Sequence, residues 1–233
     1  MIVVGIDTST PQTSVALGDD SQVLGAIRIA GAARQETVTP ALDVLLRSTA
    51  TDVSRVGGVA VGIGPGLFTG LRVGVETAKT FAQVLNVPIV GIASLDALAY
   101  GVRYTSRRIA AVIDARRGEV FWSLYRPAPG GVMRTTPHAV GAPDHLVAEL
   151  AASPGEVLCV GNGAILYRRE IEELGSQVEF ASPTVAHPDA AALVELAAPR
   201  FLREEFDRPV DVLPLYLRRS DAEIAWDQRA GGT

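Results

Sequence analysis

The sequence predicts an α/β protein of two duplicated lobes, and three observations carry the prediction. A short apolar run ending in an aspartate occurs twice, Ile2 to Ile6 before Asp7 and Ile109 to Ile113 before Asp114. Each run is followed by a turn and a returning strand. In each half a later buried strand then meets a glycine turn and a helix: Val56 to Val61 before Gly62-Ile63-Gly64-Pro65-Gly66, and Val157 to Val160 before Gly161-Asn162-Gly163. Short apolar runs that alternate with helical periodicity describe parallel strands joined by helices.

Taken in order, Ile2 to Ile6, Thr13 to Leu17 and Val23 to Ile29 form an antiparallel meander, with a turn at Gly18-Asp19-Asp20-Ser21. Gly31 to Arg34 is a loop. Val38, Ala41, Leu42, Leu45 and Leu46 recur at helical spacing, and Pro40 requires that this helix begin close to it. Asp52 starts a short helical turn. After the glycine turn, Phe68 to Leu85 is a long helix, Pro88 to Ile92 a strand, and Ser94 to Tyr100 a helix. The second half repeats the plan. A turn at Arg117-Gly118 leads to a strand over Val120 to Tyr125, and a helix runs from Ala142-Pro143-Asp144 to about Ala152. Val178 to Phe180 is a strand, and Asp189 to Phe206 a helix with the stripe Leu193, Leu196 and Ala197. The expected lobes are residues 1–104 and 105–212, with a tail over 213–233 that packs back on the first lobe and frays at Gly231-Gly232-Thr233.

The helix Phe68 to Leu85 has an unusual surface. At about 100° per residue, Thr69, Arg72, Glu76, Lys79, Thr80 and Gln83 fall on one narrow polar stripe. The remaining arc is roughly twice as wide as one sheet contact needs. Gly70, Gly74, Ala78 and Ala82 recur every fourth residue, a smooth ridge that admits close approach of another backbone. Either the helix is wedged within its own domain, or it is buried on one side by its domain and on the other by a partner chain.

Composition narrows the function. The 233 residues are 48% hydrophobic and 20% charged, an ordinary globular balance. No apolar run approaches a membrane span, and MIVVGIDTST reads as a strand rather than a signal peptide, so a cytoplasmic protein is expected. A net charge of −5 argues against holding tRNA or DNA unaided. Cys159, the single cysteine, sits in an apolar run as a core residue.

Few constellations carry chemistry. Asp7, Thr8 and Ser9, at the end of a central strand, are candidates for a nucleotide-phosphate nest with a metal on Asp7; the plainer alternative, which the bare motif favours, is that they only terminate a strand and start a hairpin. The Gly62–Gly66 turn fits neither common nucleotide loop, because Leu67 replaces a required glycine and no Gly-Lys-Ser/Thr opens the helix. His138, His145 and His187 lack the i, i+4 spacing of paired ligands and read as surface or satisfied residues. No nucleophile elbow occurs. The residues thus provide no self-sufficient catalytic set and no metal site.

Two copies of a strand-meander-helix-strand-helix-strand unit, each with an aspartate closing its first strand, describe the actin-like ATPase (ASKHA, ribonuclease-H-like) fold. Gly-Pro-Gly-Leu-Phe-Thr-Gly-Leu-Arg-Val-Gly, residues 64–74, closely resembles the signature of the TsaB (YeaZ-type) family, formerly grouped with the M22 glycoprotease-like proteins. Ile6-Asp7-Thr8-Ser9, Ile113-Asp114-Ala115-Arg116-Arg117-Gly118-Glu119-Val120 and Pro214-Leu215-Tyr216-Leu217-Arg218 fall in the matching order. The resemblance implies a catalytically inactive scaffold that pairs with TsaD and is joined by TsaE. That complex transfers a threonylcarbamoyl group, supplied by TsaC as an adenylate, to the adenosine beside the anticodon of ANN-decoding tRNAs. It implies ATP and metal on TsaD rather than here, tRNA contact only through the complex, and a homodimer when the chain is alone. The related catalytic subunit carries His-x-x-x-His on its first long helix, where this chain has Glu36-Thr37-Val38-Thr39-Pro40-Ala41-Leu42. Pairing in the family uses the two first-lobe helices, which makes Val38, Leu42, Leu45, Gly70, Val73, Gly74, Thr77, Ala78 and Phe81 the interface candidates, and arginine at Gly74 a block to pairing. Leu67 stands where most members have serine, and so leaves the long helix without a capping hydroxyl. The rival functions are an M22-type metallopeptidase and an ATPase or kinase working through Asp7 and Asp114.

Overall fold

The computed structural model describes residues 1–31 and 35–218, the side chains of residues 35 and 36 excepted. Most of the expected loop after Gly31 and the tail beyond Arg218 therefore lie outside the described residues. In chain order the strands and helices of the first half are β1 (Ile2–Asp7), β2 (Gln12–Gly18), β3 (Val23–Ala30), α1 (Gln35–Ser48), β4 (Val56–Gly64), α2 (Phe68–Leu85), β5 (Ile89–Ala93) and α3 (Ser94–Tyr100). The second half contributes β6 (Arg108–Arg116), β7 (Glu119–Ala128), β8 (Gly131–Arg134), β9 (Ala139–Gly141), α4 (Pro143–Ala151), β10 (Val157–Val160), α5 (Asn162–Leu166), α6 (Arg168–Glu172), β11 (Val178–Phe180) and α7 (Ala190–Leu202).

The strands make two sheets, β3-β2-β1-β4-β5 and β11-β10-β6-β7-β8, with β9 also paired to β7. In each, an antiparallel meander is continued by parallel strands: β1 beside β4 and β4 beside β5, then β6 beside β10 and β10 beside β11. Those parallel steps need crossovers, which is why helices recur between them.

Side chains alternate between the two faces of a strand. In β1, Ile2, Val4 and Ile6 point into a core with Val38, Leu42, Leu45, Val75 and Ala78 of α1 and α2. Val3 points the other way, into a core with Leu193, Val194 and Ala197 of α7. Gly5 shares that second face because a methyl there would come within 2.4 Å of the Ala190 carbonyl oxygen. In the second sheet, Val112, Trp122 and Val157 face Leu146 and Leu150 of α4 and Ile171 of α6, while Ile109, Ile113 and Phe121 face Leu95 and Leu98 of α3.

The strands thus sort by half of the chain, and two helices do not. α7, from residues expected to belong to the second lobe, covers a face of the first sheet. α3, from residues 1–104, covers a face of the second. A hydrogen bond reinforces this exchange: buried Tyr125 of β7 donates its hydroxyl to Asp96 of α3 at 2.7 Å. The expected division at 104/105 is therefore corrected for these helices. Periodicity says that a helix has an apolar face but not which sheet receives it.

Several local details differ from expectation. α1 begins at Gln35, so Pro40 lies in its second turn; the intrahelical bond it forgoes is among the first of the helix, close to the end where donors are unpaired anyway. β8 and β9 were not legible, being four and three residues long and separated by Thr135-Thr136-Pro137; pairing with the longer β7 makes them strands. The helix after Gly163 is two five-residue helices broken at Tyr167. α7 stops at Leu202, with Arg203 as its C-cap and Glu204 at φ 58°, rather than reaching Phe206. Among the described residues no helix is long and apolar enough to cross a membrane.

Candidate functional site

The Asp7 turn and the Gly62 turn lie on each other. β1 and β4 are parallel neighbours, so both strands deliver their C-terminal ends, and the turns that follow them, to the same place. Asp7 Oδ1 accepts from the Ser9 N–H at 3.0 Å and the Ser9 hydroxyl at 2.8 Å. Its Oδ2 accepts from the Ser94 hydroxyl at 3.2 Å, and that oxygen accepts in turn from the Gly64 N–H, also at 3.2 Å. Thr8 donates to the Gly70 carbonyl at 2.7 Å. The Ser9 carbonyl accepts from the Leu67 N–H at 2.7 Å, at the position just before α2. Glycine is needed on the facing turn by contact alone: a methyl at Gly62 would meet Asp7 Oδ2 at 1.9 Å, and one at Gly66 would meet the Ser9 carbonyl oxygen at 2.3 Å.

Asp7, Thr8 and Ser9 are consequently 1%, 0% and 0% exposed. The Asp7 carboxylate, the Thr8 and Ser9 hydroxyls and the Ser9 N–H are thus engaged in internal hydrogen bonds, with the chain's own glycine turn packed against them. Leu67 caps α2 without a side-chain hydrogen bond. Sequence reading missed Ser94, whose signal was a serine opening a helix directly after a strand. Of the three histidines expected to be surface or satisfied, His187 is satisfied: the ring is half-buried, and its Nδ1 lies 3.0 Å from the Thr10 hydroxyl. Burial holds His187 below the ordinary histidine range.

The second lobe repeats the geometry. Asp114 Oδ1 accepts from the N–H of the residue two ahead, Arg116, at 2.8 Å, as Asp7 does from Ser9. Asn162 at the head of α5 accepts from the Asp114 N–H at 3.2 Å, and the Arg116 guanidinium lies 3.4 Å from the Asp114 carboxylate. A cleft of about 170 Å³ opens between β3, α3 and α7. Its charges are paired, Arg28 with Asp189 at 3.2 Å and Arg103 with Glu195 at 2.9 Å.

Burial raises the Asp7 carboxyl from the ordinary 3.8 to about 6, overriding the Ser9 and Ser94 hydrogen bonds that favour the anion. The folded state therefore holds a proton that the unfolded chain has released between those values. Stability from this group is greatest below pH 3.8 and falls as pH rises through 6, by up to about 3 kcal/mol. Asn fits the same position and cannot ionise. Urea unfolding at pH 4.5 and 7 should show Asp7→Asn gaining on the parent chain by about 2 kcal/mol between the two. An unchanged difference at both pH values would contradict this account.

The nine interface candidates do not share one exposed surface. Val38, Leu42, Leu45, Gly70, Gly74, Thr77 and Ala78 are buried within the chain itself, so they support the outer face of α1 and α2 from below. Val73 and Phe81 are partly exposed. The Gly74 ridge faces inward because α2 crosses the Asp7 turn there: a methyl on Gly74 would meet the Thr8 hydroxyl at 2.2 Å. The outer face carries Thr69, Arg72, Glu76, Thr80 and Gln83, with Val84 on α2 77% exposed and Val44 on α1 51% exposed.

Comparison with known proteins accords with this architecture. Residues 28–226 match the family model of TsaD, tRNA N6-adenosine threonylcarbamoyltransferase. The chain is 28% identical to the tRNA threonylcarbamoyladenosine biosynthesis protein TsaB of Escherichia coli, over 99% of each chain. It is 30% identical to TsaB of Bacillus subtilis over 97% of this chain and 98% of that one. The solved structure of YeaZ from Pseudomonas aeruginosa superposes with a TM-score of 0.80 at 26% identity, covering 93% of this chain and 99% of that chain. A ROK hexokinase from Thermus thermophilus, at TM-score 0.51 and 13% identity over 88% of this chain and 100% of its own, shares the actin-like fold alone.

Proposed function

Because the chain belongs to the TsaB family, we propose that it acts in the biosynthesis of tRNA threonylcarbamoyladenosine as a scaffold without turnover of its own, pairing with its TsaD relative. The observation that supports the scaffold reading is the closed Asp7 turn, buried against the chain's own glycine turn with its carboxylate and hydroxyls hydrogen-bonded internally. Pairing uses the outer face of α1 and α2, over the buried ridge; Val44 and Val84 are the apolar side chains exposed there. Exposed apolar groups on a helix pair favour association with a similar pair. In this reading TsaD supplies ATP and metal, TsaE joins the pair, and tRNA is met only by the assembled complex. Without TsaD the same face pairs two copies of this chain.

Light scattering coupled to size exclusion tests the proposal, on the chain alone and mixed with TsaD from the same source. A homodimer should give way to a mixed dimer. Val84→Asp should weaken both while leaving thermal unfolding nearly unchanged, because the side chain is solvent-facing. A chain that stays monomeric and indifferent to TsaD would overturn the reading.

A further inference from the structure

The segment after α7 crosses from the first lobe to the second. It starts on β5, the outer strand of the first sheet, where the Asp207 N–H donates to the Ile89 carbonyl at 2.8 Å and its carboxylate accepts from the Gly91 N–H at 2.9 Å. Val212 is buried in the core beneath α1 and α2. The Leu215 N–H then donates to the Ile63 carbonyl at 2.7 Å, within the glycine turn itself. Tyr216 stacks on Phe68 with ring centroids 4.9 Å apart, and its hydroxyl accepts from Arg72 at 3.3 Å. Arg72 also lies over the Phe68 ring at 4.3 Å. The last two described residues leave the first lobe. Leu217 packs against the core that contains Ile113 and Phe121, and Arg218 reaches Glu119, the first residue of β7, at 2.6 Å.

We propose that residues 207–218 are an interlobe strap that couples the position of the second lobe to the glycine turn and the head of α2. Three layers lie in register. The strap is bonded to Ile63, the glycine turn rests on Ser9, and Ser9 holds Asp7. The strap turns once, over residues 208–211, and is bonded at both ends, so its contacts act in series. Loosening the Glu119 end releases Tyr216 from Phe68, which in turn loosens the Leu215 bond to Ile63. The connection is closed by hydrogen bonds, a ring stack and an ion pair. The inference rests on the fold and is independent of whether the chain pairs with TsaD.

Hydrogen exchange of the intact protein tests the coupling. Glu119→Ala cuts only the second-lobe end and alters a partly exposed side chain, so the fold survives it. We expect exchange of the Leu215 and Leu67 amides to quicken about two- to fivefold, the size of a partly exposed ion pair. Tyr216→Ala should quicken the same amides about tenfold, while amides in the middle of β2 keep the parental rate. Unchanged exchange at Leu215 and Leu67 in Glu119→Ala would mean that the two ends are separate patches, and would overturn the strap.

Discussion

A chain ending at residue 104 is expected not to fold, nor one beginning at 105, whereas the two halves expressed together should assemble. The sheets argue otherwise, since every strand of each sheet comes from one half. The helices decide it. Without α7 the first sheet loses Leu193, Val194, Ala197 and Phe201 from the face that carries Val3, Ala60 and Val90. Without α3 the second sheet loses Leu95, Leu98 and Ala99 from the face of Ile109, Ile113 and Phe121. Each large buried aliphatic or aromatic side chain contributes about 1.5–3 kcal/mol when taken from water, so these residues contribute about 5–9 kcal/mol for α7 and about 3–6 kcal/mol for α3 before the strand residues they cover are counted, losses comparable to the roughly 5–15 kcal/mol by which a domain is stable. Circular dichroism and denaturant titration of each half should show no cooperative transition, and affinity purification of one tagged half should recover the other. A cooperative transition in the isolated 1–104 chain would refute the exchange.

Gly74→Arg is expected to destabilise the whole fold instead of selectively blocking pairing. From sequence, Gly74 lies on a ridge suited to a partner helix. In the structure, its first added carbon would meet the Thr8 hydroxyl at 2.2 Å, and Thr8 is fixed by its bond to Gly70. The guanidinium would then sit beside a core that offers it no carboxylate except Asp7, which Ser9 and Ser94 already occupy. Overpacking costs about 1–3 kcal/mol and an unpaired buried charge several more. The total should exceed about 4 kcal/mol and lower Tm by about 10 °C or more. Calorimetry checks this directly, with Val84→Arg as the control that stays within about 0.5 kcal/mol. Parental Tm in Gly74→Arg would return the ridge to the surface.

The same contrast runs through the molecule. Sequence alone determined the strands other than β8 and β9, the duplicated plan, the Asp7 and Asp114 turns, and the polar stripe of α2. Each of these rests on a period of 2.0 or 3.6, or on a turn residue, and both are local properties of the chain. Sequence also determined the family, through the run from Gly64 to Gly74. It did not reveal that α3 and α7 change sheets, because an apolar stripe is the same whichever sheet receives it. Nor did it reveal that the Gly70–Ala82 ridge looks inward: a wide apolar arc has two sides, and only the Thr8 hydroxyl beneath Gly74 says which is the core. Asp7 looked like a ligand-binding group because its neighbours in sequence are hydroxyls. Tertiary structure turned the Ser9 and Ser94 hydroxyls onto the carboxylate and laid the glycine turn against it, while Thr8 turned to the Gly70 carbonyl, so the acid is buried. The physical reason is common to all three cases. Periodicity and composition describe what one segment exposes, whereas burial depends on which distant segment, sometimes from the other half of the chain, lies against it.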